Sequence, residues 1–164
     1  MPNKLSAGLL LHRVSASGVL EVLIAHPGGP FWARKDDGAW SIPKGEYDTG
    51  DDPKAAAFRE FEEEIGCRVP AGDAVELGAI QQPSGKVVTV FALQGDVDLR
   101  DFRSNTFEME WPRGSGRMES FPEVDRAEWF PVAAARVKLL KGQVPFLDTL
   151  IEHLRAQGVR FSEQ

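Results

Sequence analysis

The sequence predicts a mixed α/β fold, a sheet packed against helices, from three observations. Two apolar, β-prone runs near the N-terminus flank a turn signal. A capped amphipathic helix begins at Pro53. A second helical period of apolar residues lies close to the C-terminus.

The first two strands are expected at 7–14 (Ala-Gly-Leu-Leu-Leu-His-Arg-Val) and 19–25 (Val-Leu-Glu-Val-Leu-Ile-Ala), with Ser15-Ala-Ser-Gly18 turning them into a hairpin. Residues 26–38, broken by Pro and Gly, read as a loop, and Ala39-Trp-Ser-Ile42 as a short strand ending at Pro43. Asp51-Asp52-Pro53 opens a helix, an Asp cap followed by Pro where its missing N–H costs nothing. That helix is expected to run to Ile65, with Gly66 as its stop. Two strands follow at 75–82 and 86–93, joined by a turn at Pro83-Ser-Gly85. Residues 95–120 are polar, and Phe107, Met109 and Trp111 alternate there as on an edge strand. A short strand is expected from Arg126 to Phe130. Val144, Leu147, Leu150, Ile151 and Leu154 place a helix over 143–157.

The 164 residues suffice for one domain with a real core, read as 1–164 without repeat or linker. Acidic residues outnumber basic ones, 25 to 19, for a net charge of −6. That balance excludes a general nucleic-acid polymer binder, which shows a basic face. It leaves room for a small anionic ligand received by a cation and a few local bases. The lone Cys67 forbids an internal disulfide and fits a reducing compartment. The N-terminal apolar run stops at His12-Arg13, too short for a secretory leader. No stretch approaches the roughly 20 apolar residues that span a bilayer. A cytoplasmic protein without membrane contact is expected, as a monomer or homodimer.

The chemistry concentrates in residues 44–67, KGEYDTGDDPKAAAFREFEEEIGC. At about 100° per residue, Glu60, Glu63 and Glu64 fall within an arc of roughly 100° on the helix. Ala57, Phe58, Phe61 and Ile65 occupy the neighbouring arc and face the core; the small Ala56 lies within the acidic arc. Carboxylates on one stripe repel by a few tenths of a kcal/mol per pair, roughly. Hard divalent ions take oxygen ligands, so the trio has the chemistry of a metal platform. A run of this kind is also the ordinary make-up of a solvated helix face, and the surrounding spacing separates the two.

That spacing resembles the Nudix box, Gly-x5-Glu-x7-Arg-Glu-U-x-Glu-Glu-x-Gly-U, with U a bulky apolar residue. The chain supplies Gly45, Asp51, Arg59, Glu60, Phe61, Glu63, Glu64, Gly66 and Cys67 over 45–67. Asp51 stands where the family has Glu, and Cys67 where it has a larger aliphatic. The resemblance implies a Nudix-type α/β/α sandwich with a mixed sheet. It also implies a hydrolase that cuts phosphoanhydride bonds with Mg²⁺, Mn²⁺ being the alternative ion.

By resemblance, Glu60, Glu63 and Glu64 hold the ion, with the Lys44 backbone carbonyl as a further ligand. Arg59 pairs with a box glutamate. Glu60 and Glu63 are the candidates for the general base. A further acid often follows the central strands in the family: Glu123 is chosen, ahead of Asp125, Glu119, Glu110 and Glu108. Lys44, Lys86, Arg34 and Lys35 are candidate phosphate contacts, and Trp32 a candidate base-stacking residue; Trp40 is expected in the core. His12, His26 and His153 have no ligand spacing and receive no role. Pro43-Lys44-Gly45 is similar to the branch acting on diadenosine polyphosphates. A dinucleoside polyphosphate such as diadenosine tetraphosphate is therefore the expected substrate. The alternatives are a MutT-like nucleoside triphosphate pyrophosphohydrolase and a Nudix regulator that binds a nucleotide without turnover.

Overall fold

The computed structural model describes residues 4–164. The first three residues of the expected domain, where the leader reading begins, lie outside them.

The strands are β1 (Leu5–Val14), β2 (Leu20–Pro27), β3 (Lys44–Tyr47), β4 (Val75–Gln81), β5 (Val87–Gln94), β6 (Thr106–Glu110), β7 (Met118–Pro122) and β8 (Val124–Pro131). The helices are α1 (Pro53–Ile65), α2 (Val132–Lys138) and α3 (Val144–Ala156). A mixed sheet orders its strands β4-β5-β1-β2-β8, with β3 also paired to β1; β6 and β7 form a separate hairpin. β1 and β5 run parallel, and the other pairings are antiparallel.

The sheet is covered on both faces. Ala7, Leu9 and Leu11 of β1 meet Ala57, Phe61 and Ile65 of α1. Leu10 joins Val22, Ile24, Val90 and the α3 residues Phe146, Leu147 and Leu150 on the opposite face. A strand buried on both sides reads as a continuous apolar run rather than an alternation, which explains Leu9-Leu10-Leu11. Among the described residues no helix is long and apolar enough to cross a membrane.

The expected strand at 39–42 is instead a pair of isolated bridges, Trp40 to Leu139 and Ser41 to Ala25. The regular strand falls one step later, at Lys44–Tyr47. The cause is a divergence of β2 from β1. Their pairing covers His12–Val22 to Val14–Leu20, whereas Leu5–Gly8 of β1 pair with Lys44–Tyr47. Segment 40–47 thus fills the gap between two separating strands, bridging β2 at Ser41 and pairing continuously with β1 only from Lys44 onward.

Two further elements depart from expectation. Residues 106–122 are a hairpin, so the alternation ending at Trp111 marks one arm and β7 is its partner. Val132–Lys138 is a short helix whose buried Val132 and Ala135 face the sheet. Its single Pro131 start gave no cap signal, since no side chain caps it.

Candidate active site

Helix α1 begins as its sequence dictates. Asp52 accepts from the Ala55 N–H at 2.9 Å, Pro53 takes the first turn, and the helix ends at Gly66 with φ 77°. A Cβ at Gly66 would strike the Arg103 backbone, so both conformation and space demand glycine. Phe61 and Ile65 are fully buried beneath the sheet, and this packing fixes the helix rotation. The acidic stripe is thereby turned toward β3 and the β7–β8 connection.

Glu60, Glu63, Glu64, Glu123, Asn105 and Lys44 border one cavity of about 270 Å³. A second cavity, also about 270 Å³, adjoins it and shares Lys44, Glu64 and Glu123; Trp32, Ser41 and Leu140 are among its other walls. Gly45 permits the close approach of β3 to α1: a Cβ there would fall on the Glu60 carboxylate. Gly45→Ala is expected to abolish most turnover by pushing the Glu60 carboxylate aside, while Tm changes by little more than about a degree because only the end of a flexible side chain must move. Steady-state kinetics and a melting curve check it, and wild-type kinetics would remove the contact from importance.

The strand register also orients Lys44. Leu9 donates its N–H to the Pro43 carbonyl at 3.1 Å, so the next pair, Gly8 and Lys44, is a non-hydrogen-bonded one. The Lys44 N–H and carbonyl therefore point away from β1.

Electrostatically the cavity is under strain. Burial, then the Glu60 charge, raises the Glu64 carboxyl to about 8, opposed by Lys44 and a backbone hydrogen bond from Lys44. Burial and then Glu63 raise Glu60, against the pull of Arg59. The Lys44 ammonium is pushed down chiefly by burial and next by Lys86. Among the described residues no three His, Cys, Asp or Glu side chains form a ready-made metal cluster. The carboxylates stand around the cavity rather than meeting at a point. Their all-oxygen chemistry and mutual repulsion nonetheless fit a hard divalent cation, which relieves the penalty on Glu60 and Glu64 together.

The remaining sequence candidates divide. Arg59 lies outside the cavity with its guanidinium 3.5 Å from Glu60. Lys86 borders neither cavity; its ammonium is 3.8 Å from Glu46. Trp32 forms a wall of the second cavity, and the Lys35 ammonium sits 5.0 Å from its ring centre. Arg34 is exposed and borders neither cavity. Asp51 accepts from the Asp48 N–H at 3.4 Å, closing the turn before α1. Trp40 is 1% exposed and belongs to the core. Sequence reasoning missed Asn105, which gave no signal: it reaches the cavity because its N–H bonds the Glu63 carbonyl at 3.0 Å. It also missed His26, whose two ring nitrogens are both bonded.

Comparison with known proteins agrees with this architecture. RNA pyrophosphohydrolase of Rhodospirillum rubrum is 48% identical over 66 residues, 39% of this chain and 38% of that protein. The RNA pyrophosphohydrolase of Francisella tularensis subsp. mediasiatica is 40% identical over 53 residues, 32% of this chain and 34% of that protein. The match thus spans little more than a third of these curated relatives. Among solved structures, a C. elegans Ap4A hydrolase binary complex aligns with a TM-score of 0.65 at 20% identity, covering 92% of this chain and 98% of that one. A mutT/nudix family protein from Listeria innocua aligns with a TM-score of 0.67 at 16% identity, covering 96% and 98%. Likeness at these identities is a likeness of fold. The family description "NUDIX domain" matches residues 5–154, nearly the whole chain and both sides of the acidic cavity, and the protein belongs to the NUDIX domain family.

Proposed function

We propose that this chain hydrolyses a phosphoanhydride bond in a nucleoside polyphosphate, and that its substrate is a dinucleoside polyphosphate such as diadenosine tetraphosphate. One observation carries the reading: an acidic cavity and an aromatic-walled cavity adjoin across Lys44, Glu64 and Glu123. Neither alone reaches the roughly 300–1,000 Å³ of ordinary ligand pockets, and the two joined do. A polyphosphate chain suits the first and a nucleoside the second.

Glu60, Glu63, Glu64 and Glu123, with the Lys44 carbonyl, would hold Mg²⁺ or Mn²⁺. Such an ion supplies charge neutralisation along the phosphates and acidification of water. Glu60 or Glu63 takes the proton of the attacking water, an effect of about 10²–10⁴-fold for a general base. Arg59 holds Glu60 in orientation; a lysine there lacks the planar fork. The Lys44 ammonium faces the phosphates, and Trp32 offers its ring to a base. Lys86, Lys35 and Arg34 lie further out and serve as approach charges. The buried Cys67 accords with a cytoplasmic setting.

A second reading comes from the local identity to RNA pyrophosphohydrolases, namely cleavage of a terminal 5′-triphosphate, free or on RNA. Incubation of the purified protein with diadenosine tetraphosphate, nucleoside triphosphates and 5′-triphosphorylated RNA, in Mg²⁺ and in EDTA, separates the two. Asymmetric cleavage of diadenosine tetraphosphate to ATP and AMP, abolished by EDTA, is expected. Release of pyrophosphate from the triphosphates with the dinucleotide untouched would establish the second reading. Nucleotide binding without turnover of any substrate would leave only a regulator.

A further inference from the structure

The histidine at position 26 does something its sequence position did not announce. Its side chain is fully buried. One ring nitrogen, Nδ1, lies 2.7 Å from a carboxylate oxygen of Asp125. The other, Nε2, lies 2.6 Å from the Lys35 carbonyl. Each ring nitrogen thus reaches one partner, a side-chain carboxyl on one side and a backbone carbonyl on the other. Trp40 packs edge-on against the ring, centroids 5.2 Å apart, and holds its plane.

Neither partner lines the second cavity, but each is tied to a residue that does: Asp125 follows Val124 in β8, and Lys35 bonds back to Trp32. Lys35 closes the turn that begins at Trp32, through its N–H to the Trp32 carbonyl at 3.0 Å. Asp125 lies two residues beyond Glu123. The pairing of β2 with β8 explains how Asp125 reaches the histidine. His26 pairs with Arg126 while Pro27 pairs with Val124, so Asp125 is the extra residue of a β-bulge. A bulge re-aims a side chain and is common beside active sites. Its carboxylate, 32% exposed, is turned inward to His26.

We infer that His26, seated between the Asp125 bulge and the Lys35 carbonyl, is a positioning residue that fixes the Trp32 turn against the Glu123 wall and so sets the width of the nucleoside cavity. The inference rests on the nucleotide reading above for the identity of the ligand, but not for the existence of the strut. His26 touches no substrate. Its role is to make the loop between Gly28 and Gly38 part of the rigid sheet, because a side chain held on a loose loop loses binding to the entropy of ordering it.

The test is a double-mutant cycle with an exchange measurement beside it. Asp125→Ala, at a solvent-accessible position, cuts the strut without opening the core; His26→Ala and His26→Gln are the companion variants, Gln retaining an amide that can bond one of the two partners. Asp125→Ala is expected to raise KM for the nucleotide about tenfold while kcat changes little. In a Trp32→Ala background the same change should move KM less than about twofold, the non-additivity of coupled groups. His26→Gln should recover part of the KM lost in His26→Ala. Amide hydrogen exchange over residues 29–36 should quicken about tenfold in Asp125→Ala, with α1 and α3 unchanged. Additive KM effects, or exchange that quickens everywhere alike, would show an ordinary core contact and overturn the inference. If the wild-type protein turns over no nucleotide, the proposed function fails, and the exchange pattern still decides the strut: unaltered exchange at 29–36 sinks it.

Discussion

Glu63→Gln is expected to lower kcat/KM by several hundredfold or more while Tm stays within about a degree. The magnitude follows from the loss of a general base or an anionic ligand, about 10²–10⁴-fold in comparable sites. Glutamine keeps the shape of the side chain and loses its charge and basicity. Stability should hold because Glu63 is exposed on α1 and packs against neither face of the sheet; exposed substitutions usually stay within about 0.5 kcal/mol. The geometry explains why this residue matters more than Glu62, its exposed neighbour in sequence. Glu62 turns away from the cavity and accepts the Val69 N–H at 2.9 Å, while Glu63 borders the cavity with Glu60 and Glu64. Steady-state kinetics under saturating Mg²⁺ and a thermal melt are sufficient measurements. Equal turnover in both proteins would take Glu63 out of the mechanism.

The second large effect concerns pH and stability. The Glu64 carboxyl is raised to about 8 in the folded protein, first by burial and then by Glu60. Below the unfolded value both states hold the proton, so this group contributes nothing to the slope. Between that value and about 8 the folded state retains a proton that the unfolded chain has lost, and stability falls as pH rises. The loss is complete above the folded pKa and is on the order of 3–5 kcal/mol. Glu60, raised in the same direction, adds to it. Asp36 and Asp98 have the opposite sign, because Lys138 and Arg100 respectively hold their carboxyls below the usual range. Their effect lies in acid, outside this window. His12, lowered to about 4 by burial, and Lys44, lowered chiefly by burial, gain stability as pH rises and offset part of this fall, so metal-free protein should melt a few degrees lower at pH 9 than at pH 6.

Mg²⁺ should reverse that loss. An ion that binds ionised carboxylates stabilises the folded state increasingly as they deprotonate, by about 2.7 kcal/mol at a hundredfold excess over its Kd. Scanning calorimetry in EDTA and in Mg²⁺ at the two pH values reads both effects. Glu64→Gln should flatten the metal-free pH dependence, since it removes the buried proton. An equally steep fall in the variant would assign the dependence to other groups.

The chain sequence itself determined the elements whose causes are local. The α1 boundaries follow from Asp52, Pro53 and Gly66, each satisfying backbone groups within a few residues of itself. The acidic stripe follows from helical periodicity alone, and the family follows from the spacing between Gly45 and Cys67. The apolar periods of α3 and the runs of β1 and β5 were equally legible, because burial against a sheet imposes its period on the sequence. Tertiary structure decided what depends on residues distant in the chain. The shift of the third strand from 39–42 to Lys44–Tyr47 arises from β2 leaving β1. Glu123 faces α1 because a one-residue connection joins β7 to β8, and Asn105 reaches the cavity through a backbone bond to Glu63. His26 acquires its partners across separations of 99 and 9 residues, through a bulge that no local pattern announces. A helix cap is written in neighbouring residues, whereas a bulge is a mismatch between two strands and exists only once they pair.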